Sequence, residues 1–328
     1  MKTVAVVIIL IIIVIVFTHL AHRSQPEKFS IDQDFSLRNI RGLAFSGAGT
    51  LGYVMIGALE EMIRSGLDVR KVDYFAGTSA GSFISAFLAC RIPIQDIKEY
   101  IMNLNVKELF IEQKNSVSDR LKRKSVFNGS ILEEKSEEFL SRMTGVQGIT
   151  FQQIYEKYGT TVICATVNVK SPRTPIYLSR FNYPNMSIAT ATRASSSIPF
   201  IFDPVYYDGM ILVDGGCLDI FPIKELQKYV PLSQITGVCL DSDLKYLDES
   251  WKKIPHYTGL TSKMVRRRFH RNRLTTEEKQ RVVFISFHNK GLEYSAINFN
   301  MSEEIKNIIY NMGITSTRNF LHGSEFHI

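Results

Sequence analysis

The chain is poor in cysteine and in charge. It has 328 residues and four cysteines, Cys90, Cys164, Cys217 and Cys239, none of which forms a Cys-x-x-Cys pair. This pattern argues against a zinc site, a redox dithiol and a secreted disulfide scaffold. Charged residues make up 22% of the chain and hydrophobic residues 45%. With no internal repeat, that composition excludes a disordered, collagen-like or coiled-coil protein for most of the chain.

A net charge of +7 suits an anionic partner. Basic residues cluster at 120–124 and, with apolar residues between them, at 264–273. We expect these clusters to contact phospholipid headgroups, and the alternative is an ordinary solvated surface. They do not form a recognisable nucleic-acid-binding module, so we expect no nucleic-acid partner.

One apolar run stands apart from the rest of the chain. As a helix, the segment from Val4 to Ala21 would span about 27 Å, close to the ~30 Å core of a bilayer. We predict an N-terminal transmembrane anchor over 1–23, a polar tether over 24–38 and a catalytic domain over 39–328. Lys and Arg are more numerous after the run, which favours a single-pass protein with a cytosolic domain. A cleaved signal peptide and a buried core element are the alternatives.

From Asn39 onward the pattern alternates between strands and helices. Short apolar runs predict strands at 43–45, 72–76, 161–167, 176–178, 211–213, 235–240 and 282–287. Helical spacing predicts helices at 51–62, 79–90, 94–104, 130–143, 151–158 and 302–321. Ser130 and Glu133 are spaced as a capping box. This alternation predicts an α/β fold with helices on both faces of the sheet.

The most informative motif is Gly-x-Ser-x-Gly at Gly77–Gly81. It follows a predicted strand and precedes a predicted helix, which is the context of a nucleophile elbow. Gly77 and Gly81 would leave room for the tight turn. Ser79 would then lie at the helix N-terminus, where the helix dipole favours developing negative charge. The alternative is a glycine-rich turn without catalytic function.

A second glycine motif, Gly-x-Gly-x-x-Gly, covers Gly47–Gly52. Alone, it is also the fingerprint of a dinucleotide-binding Rossmann domain. That fold needs an acidic residue at the end of the second strand, whereas Asp73 lies at its start. We therefore favour an oxyanion hole made of backbone N–H groups. Its residues would be Gly47, Ala48, Gly49, Thr50 and Gly52.

Histidine offers no convincing general base. Of the seven histidines, none lies in a loop with obvious supporting residues. Asp214 is a better candidate because it ends an apolar strand and is followed by Gly215 and Gly216. A carboxylate within hydrogen-bond reach of Ser79 could accept its proton, provided that burial raises its pKa. The alternative is a simple Asp-Gly turn.

Taken in order, these motifs resemble the patatin-like phospholipases. Gly47–Gly52, Gly77–Gly81 and Asp214-Gly215-Gly216 carry the resemblance, together with the segment Ala191–Val205 before the aspartate. The resemblance covers residues 39–222. It implies a three-layer α/β/α fold with a central, mostly parallel sheet. It also implies a Ser79–Asp214 dyad with no histidine, served by the glycine loop as the oxyanion hole.

The resemblance further implies hydrolysis of a fatty acyl ester in a phospholipid or lysophospholipid, through an acyl-enzyme, with no metal and no cofactor. The expected partner is a membrane phospholipid or another acyl lipid. Leu51 departs from the pattern, because many members have a basic residue at this position. A triacylglycerol lipase or an acyltransferase with the same dyad therefore stays open, as does a catalytically inactive lipid-binding module.

Overall fold

The structure is a computed structural model that describes residues 31–32, 34–105, 108, 127, 129–199, 201–241, 274–287 and 300–323. The predicted anchor, residues 24–30 of the tether and both basic clusters lie outside these ranges. No helix within them combines the length and the apolar character needed to cross a bilayer.

Eight strands form one mixed sheet in the described part of the chain. They are β1 Gly42–Phe45, β2 Tyr74–Thr78, β3 Thr161–Asn168, β4 Ile176–Leu178, β5 Val205–Tyr207, β6 Met210–Asp214, β7 Ile235–Asp241 and β8 Val282–Ser286. The order across the sheet is β5-β6-β3-β2-β1-β7-β8, and β4 pairs with β3. The pairings from β3 through β2, β1 and β7 to β8 are parallel. Those of β4, β5 and β6 are antiparallel.

Both faces of the central strands are buried, because alternate residues face opposite sides of a sheet. In β1, Leu43 and Phe45 pack into the larger core, whereas Ala44 between them packs into a smaller core on the other face. In β2, Phe75 and Ala76 divide between the two cores in the same way. Helices cover both faces, which confirms the predicted α/β fold.

The helices agree with most of the predicted elements. They are α1 Tyr53–Arg64, α2 Ala80–Ala89, α3 Ile94–Asn103, α4 Ser130–Thr144, α5 Phe151–Tyr158, α6 Ile188–Ser195, α7 Ile223–Leu226, α8 Thr276–Lys279 and α9 Glu303–Leu321. Helices α1 and α9 cross at Gly57 and Gly313, where a Cβ atom on either glycine would overlap the backbone of the other helix. The C-terminal helix is thereby packed tightly against the first helix of the domain.

The predicted capping box at Ser130 is wrong. Helix α4 begins at Ser130, its N-cap is Gly129, and no side chain caps it. Glu133 instead accepts a hydrogen bond of 2.6 Å from the Thr190 hydroxyl on α6. A contact from another helix has therefore taken the carboxylate that the capping box needed. Helix α6 itself and strand β5 had no counterpart among the predicted elements.

The end of the predicted tether packs against the domain. Leu37 is buried, and the Phe35 ring lies edge-on to Phe320 of α9 with 5.4 Å between ring centroids. Asp32 pairs with Arg281, just before β8. The chain is thus tied to the folded domain before residue 39, where the sequence analysis begins that domain.

Candidate active site

The Gly77–Gly81 segment forms a sharp turn between β2 and α2. Ser79 has φ 52° and ψ −124°, a backbone conformation that costs free energy for a residue with a side chain. A Cβ atom on Gly77 would overlap the backbone of Gly81, and one on Gly81 would lie 2.5 Å from the carbonyl oxygens of Phe45 and Ser46. Only glycine fits at either position, so the predicted reason for these glycines agrees with the structure.

A buried serine on another element holds this turn. The backbone N–H of Ser79 donates to the Ser195 hydroxyl at 3.0 Å, and that hydroxyl donates to the Ala165 carbonyl of β3 at 2.6 Å. Ser195 is fully buried. From the other side, the Ser82 hydroxyl donates to the Ser79 carbonyl at 2.6 Å. The strained residue is therefore fixed on both sides by hydrogen bonds.

Asp214 lies at the end of β6, with its carboxylate close enough to the Ser79 side chain for that side chain to lower its pKa. The carboxylate accepts a hydrogen bond from the Gly216 N–H, at 2.7 Å from Oδ1. Burial raises the pKa of Asp214 from 3.8 to about 6, and the interactions with Gly216 and Ser79 oppose that rise. Ser79 and Asp214 are 135 positions apart in the sequence. The sheet brings them together.

The turn after Asp214 is held against the same part of β3. A Cβ atom on Gly215 would overlap the Ala165 carbonyl, and one on Gly216 would lie 3.0 Å from the Asp214 carboxylate. The N–H of Asp214 donates to the Ser197 carbonyl at 2.9 Å. Strand β3 and the end of α6 thus support both the serine turn and the aspartate turn.

The Gly47–Gly52 loop lies beside Ser79. A Cβ atom on Gly47 would be 3.6 Å from the Ser79 Cβ. The Gly47 N–H donates to the Ile220 carbonyl at 2.8 Å, so it is not available to a ligand. Ala48 and Gly49 differ, since their N–H groups donate to no acceptor in the described residues. Gly49 has φ 53°, which favours glycine. The Gly52 N–H also donates to no acceptor in the described residues, so Ala48, Gly49 and Gly52 remain candidates among the predicted donors.

Residues 43–226, more than half of the chain, match the sequence model of the patatin-like phospholipase family. The chain belongs to this family.

Two viral proteins are similar to this family member. Uncharacterized protein R571 of Acanthamoeba polyphaga mimivirus is 31% identical over 200 residues, which are 61% of this chain and 64% of that protein. Probable lipid hydrolase 463L of Invertebrate iridescent virus 6 is 26% identical over 211 residues, or 62% of this chain and 69% of that protein. The match thus spans somewhat less than two thirds of the mimivirus relative.

A solved structure supports the fold. VipD from Legionella pneumophila superposes with a TM-score of 0.57 at 16% sequence identity, over 88% of this chain and 67% of that one. At 88% of this chain, the likeness in fold extends beyond residue 226, where the family match ends.

An apolar cavity opens beside Ser79 in this patatin-like domain. Its walls come from α2, α3 and α4, from the glycine loop and from the segment after α6. The lining residues include Phe83, Ile84, Phe87, Tyr100, Ile101, Leu132, Ile198, Ile201 and Phe202. Such a lining suits a hydrocarbon chain rather than a polar ligand, because burying apolar surface is favourable.

The family departure at Leu51 has a structural explanation. Leu51 is fully buried in the larger core. A charged side chain here would lose its hydration inside an apolar environment. Leucine therefore serves packing at this position.

The structure also places Asp73 and one of the histidines, which the sequence offered as alternatives for other kinds of site. Asp73 lies immediately before β2, at the opposite end of that strand from Ser79, and pairs with Arg41. In a Rossmann domain this acidic residue would lie near the glycine loop, whereas Asp73 lies at the other end of the strand. His322 is an exposed residue at the end of α9. The other six histidines lie outside the described residues.

Ser195 and the Ser197 backbone were missed as parts of the site. Segment Ala191–Val205 carries the family resemblance in the sequence, but none of its residues had a predicted role. A signal was present, since three consecutive serines precede Ile198-Pro199. Small hydroxyl side chains can replace backbone partners in a packed interior, but their partners could not be identified without the fold.

Proposed function

We propose that the chain is a lipid acyl hydrolase of the phospholipase A or lysophospholipase type, with Ser79 as the nucleophile and Asp214 as its general base. One observation carries the proposal: Ser79 lies beside a buried carboxylate whose pKa is raised to about 6, and it lines an apolar cavity. A raised pKa makes Asp214 a better base than an exposed aspartate while leaving it mostly ionised near neutral pH.

In the proposed reaction, the Ser79 oxygen attacks the ester carbonyl as its proton moves to Asp214. The N–H groups of Ala48 and Gly49 stabilise the negative oxygen of the tetrahedral intermediate. The intermediate collapses when Asp214 returns the proton to the leaving alcohol, and an acyl-enzyme remains. Water then attacks the acyl-enzyme, Asp214 accepts its proton, and the fatty acid leaves as the Ser79 hydroxyl forms again.

The test is covalent labelling followed by a lipid assay. A fluorophosphonate should label Ser79 in the wild-type protein, and Ser79→Ala should lose both the label and fatty-acid release while unfolding at the same temperature. A matched control is Ser85→Ala, on the same helix, because the buried Ser85 hydroxyl has no hydrogen-bond partner in the described residues. Fatty-acid release by Ser79→Ala at the wild-type rate would refute the serine mechanism.

The substrate class is tested on a panel of lysophospholipid, diacyl phospholipid and triacylglycerol, with the products identified by mass. We expect release from the phospholipids. Release from triacylglycerol alone, or transfer to an added alcohol in preference to water, would favour the lipase or acyltransferase alternative. Binding to liposomes without any product would indicate an inactive lipid-binding module.

We also propose that the chain works at a membrane, with a cytosolic domain held by the apolar segment 1–23. The support is the length of that segment and the basic residues that follow it. Fractionation of cells that express the full chain should place it in the membrane pellet, and removal of residues 1–23 should move it to the supernatant. Equal distribution of the two forms would refute the anchor.

A further inference from the structure

The cavity follows one face of helix α2. Ser79 precedes this helix, and Phe83 and Phe87 come four and eight residues later, a spacing that places residues on one face of a helix. All three line the cavity. With a rise of 1.5 Å per residue, Phe87 lies about 12 Å along the helix axis from Ser79. The cavity is therefore an elongated groove that has the Ser79 hydroxyl near one end.

Three aromatic rings form a rigid block at the Phe87 end. The Phe87 ring lies edge-on to Phe139 and to Tyr100, with 4.9 and 5.8 Å between centroids. Tyr100 and Phe139 are stacked at 4.0 Å. The Tyr100 hydroxyl donates to the Lys135 carbonyl at 2.9 Å. Since α2, α3 and α4 contribute one ring each, no ring can move without displacing the others.

Between Ser79 and this block the groove is lined by hydrocarbon. Phe83, Ile84 and Ile101 come from two different helices and face the same space. A straight acyl chain that begins at Ser79 would lie against these side chains. Each methylene that it buries should raise kcat/KM about fourfold, until the chain reaches the rings.

We propose that the block of Phe87, Tyr100 and Phe139 is the end wall that sets the acyl-chain length of this site. The inference rests on the proposed function of Ser79. The distance to Phe87, about 12 Å, matches an extended chain of the octanoyl to decanoyl class. Longer chains must turn back or leave the groove, so that their additional methylenes give no further gain in kcat/KM.

The experiment measures kcat/KM for p-nitrophenyl esters from butyryl to palmitoyl, each below its critical micelle concentration. The kcat/KM of the wild-type protein should rise with every methylene up to the octanoyl or decanoyl ester and then level off. We call the ester at which this rise ends the break. Phe87→Leu removes one ring, so the break should move to a longer ester. Ile84→Phe fills the groove closer to Ser79 and should move the break to a shorter one.

Phe151→Leu is the matched control. Phe151 is as deeply buried as Phe87 but lies on α5, outside the groove. Its break should stay at the wild-type ester even if its unfolding temperature falls. Should Phe87→Leu fail to fold, Ile84→Phe still tests the proposal. A break that stays at the wild-type ester when the groove is filled would refute the end wall.

The outcomes separate the two proposals. If the wild-type protein hydrolyses no ester, or if Ser79→Ala hydrolyses them equally, the proposed function fails. If hydrolysis depends on Ser79 but shows no break, or if the folded variants keep the wild-type break, the end wall alone is refuted. A break that moves as expected supports the end wall.

Discussion

The two glycine motifs, Gly47–Gly52 and Gly77–Gly81, have the same strand–glycine–helix pattern but different structural roles. At Gly77–Gly81 the glycines remove side chains so that backbones can touch, and both backbone polar groups of Ser79 are bonded to other serines. In Gly47–Gly52 the first N–H is bonded, but those of Ala48 and Gly49 donate to no acceptor in the part of the chain that the structure describes. One motif fixes a side chain, and the other presents its backbone. Similar sequence patterns can therefore support different chemistry.

The largest expected effect comes from removing the carboxylate that the Gly77–Gly81 turn faces. Asp214→Asn should lower kcat by roughly a thousandfold, as expected for loss of a general base. The same change should stabilise the fold at pH 7.5 by on the order of 3 kcal/mol, since the buried carboxylate no longer has to ionise. Steady-state kinetics and urea unfolding measure the two effects.

The pH dependence of that stability provides the control. The pKa of Asp214 is raised to about 6 in the folded protein, from 3.8. The penalty for ionisation is thus absent below about pH 4, grows as the pH rises toward 6 and is complete above it. Asp214→Asn should therefore unfold like the wild-type protein at pH 4. A stability gain at pH 4 equal to that at pH 7.5 would contradict the raised pKa.

A methyl group should distinguish the two motifs by the space around them. Gly81→Ala places a Cβ atom 2.5 Å from two backbone carbonyl oxygens and should cost about 3 kcal/mol or more of stability. Gly52→Ala meets nothing closer than 3.6 Å at a helical φ of −53°. Its stability should stay within about 1 kcal/mol of the wild type. Equal unfolding temperatures for the two variants would show that the contrast is wrong.

A smaller effect is expected from the serine that holds the turn. Ser195→Ala leaves the buried Ser79 N–H without its acceptor, at a cost of about 1–3 kcal/mol. Fluorophosphonate labelling of Ser79 should slow accordingly, while the pH midpoint of activity stays near the wild-type value because Asp214 is intact. Ser85→Ala should label at the wild-type rate. A shifted midpoint in Ser195→Ala would assign Ser195 more than a positioning role.

The smallest effect is the pH profile of the wild-type protein. Because the proposed base must be ionised, kcat/KM should rise through pH about 6 and fall about tenfold for each pH unit below that midpoint. The comparison with Asp214→Asn is direct, since its residual activity should lack this step. A wild-type midpoint close to pH 4 would mean that burial does not raise the pKa of Asp214.

Much of the fold could be predicted because it depends on local periodicity. The run 43–45 is apolar throughout, and 161–167 is apolar except for Thr161 and Thr166, as expected for strands buried on both faces; the structure has β1 and β3 there. Helix α6 and strand β5 were missed. Helix α6 is made of small and polar residues, and all but one of its residues are buried through contacts with α4, β3 and β6. Its environment therefore decides its structure more than its own pattern does.

By itself, the sequence determined the residue types at the site. A turn as tight as that at Ser79 requires glycine on both sides, and an aspartate followed by two glycines requires a close approach of backbones; both are local constraints. The tertiary structure alone decided which groups meet. Pairing of β6 with β3 brings Asp214 to Ser79, Ser195 reaches the turn from α6, and the Ile220 carbonyl accepts from the Gly47 N–H. Such partners are distant in sequence, and burial of the sheet between its helices sets their distances.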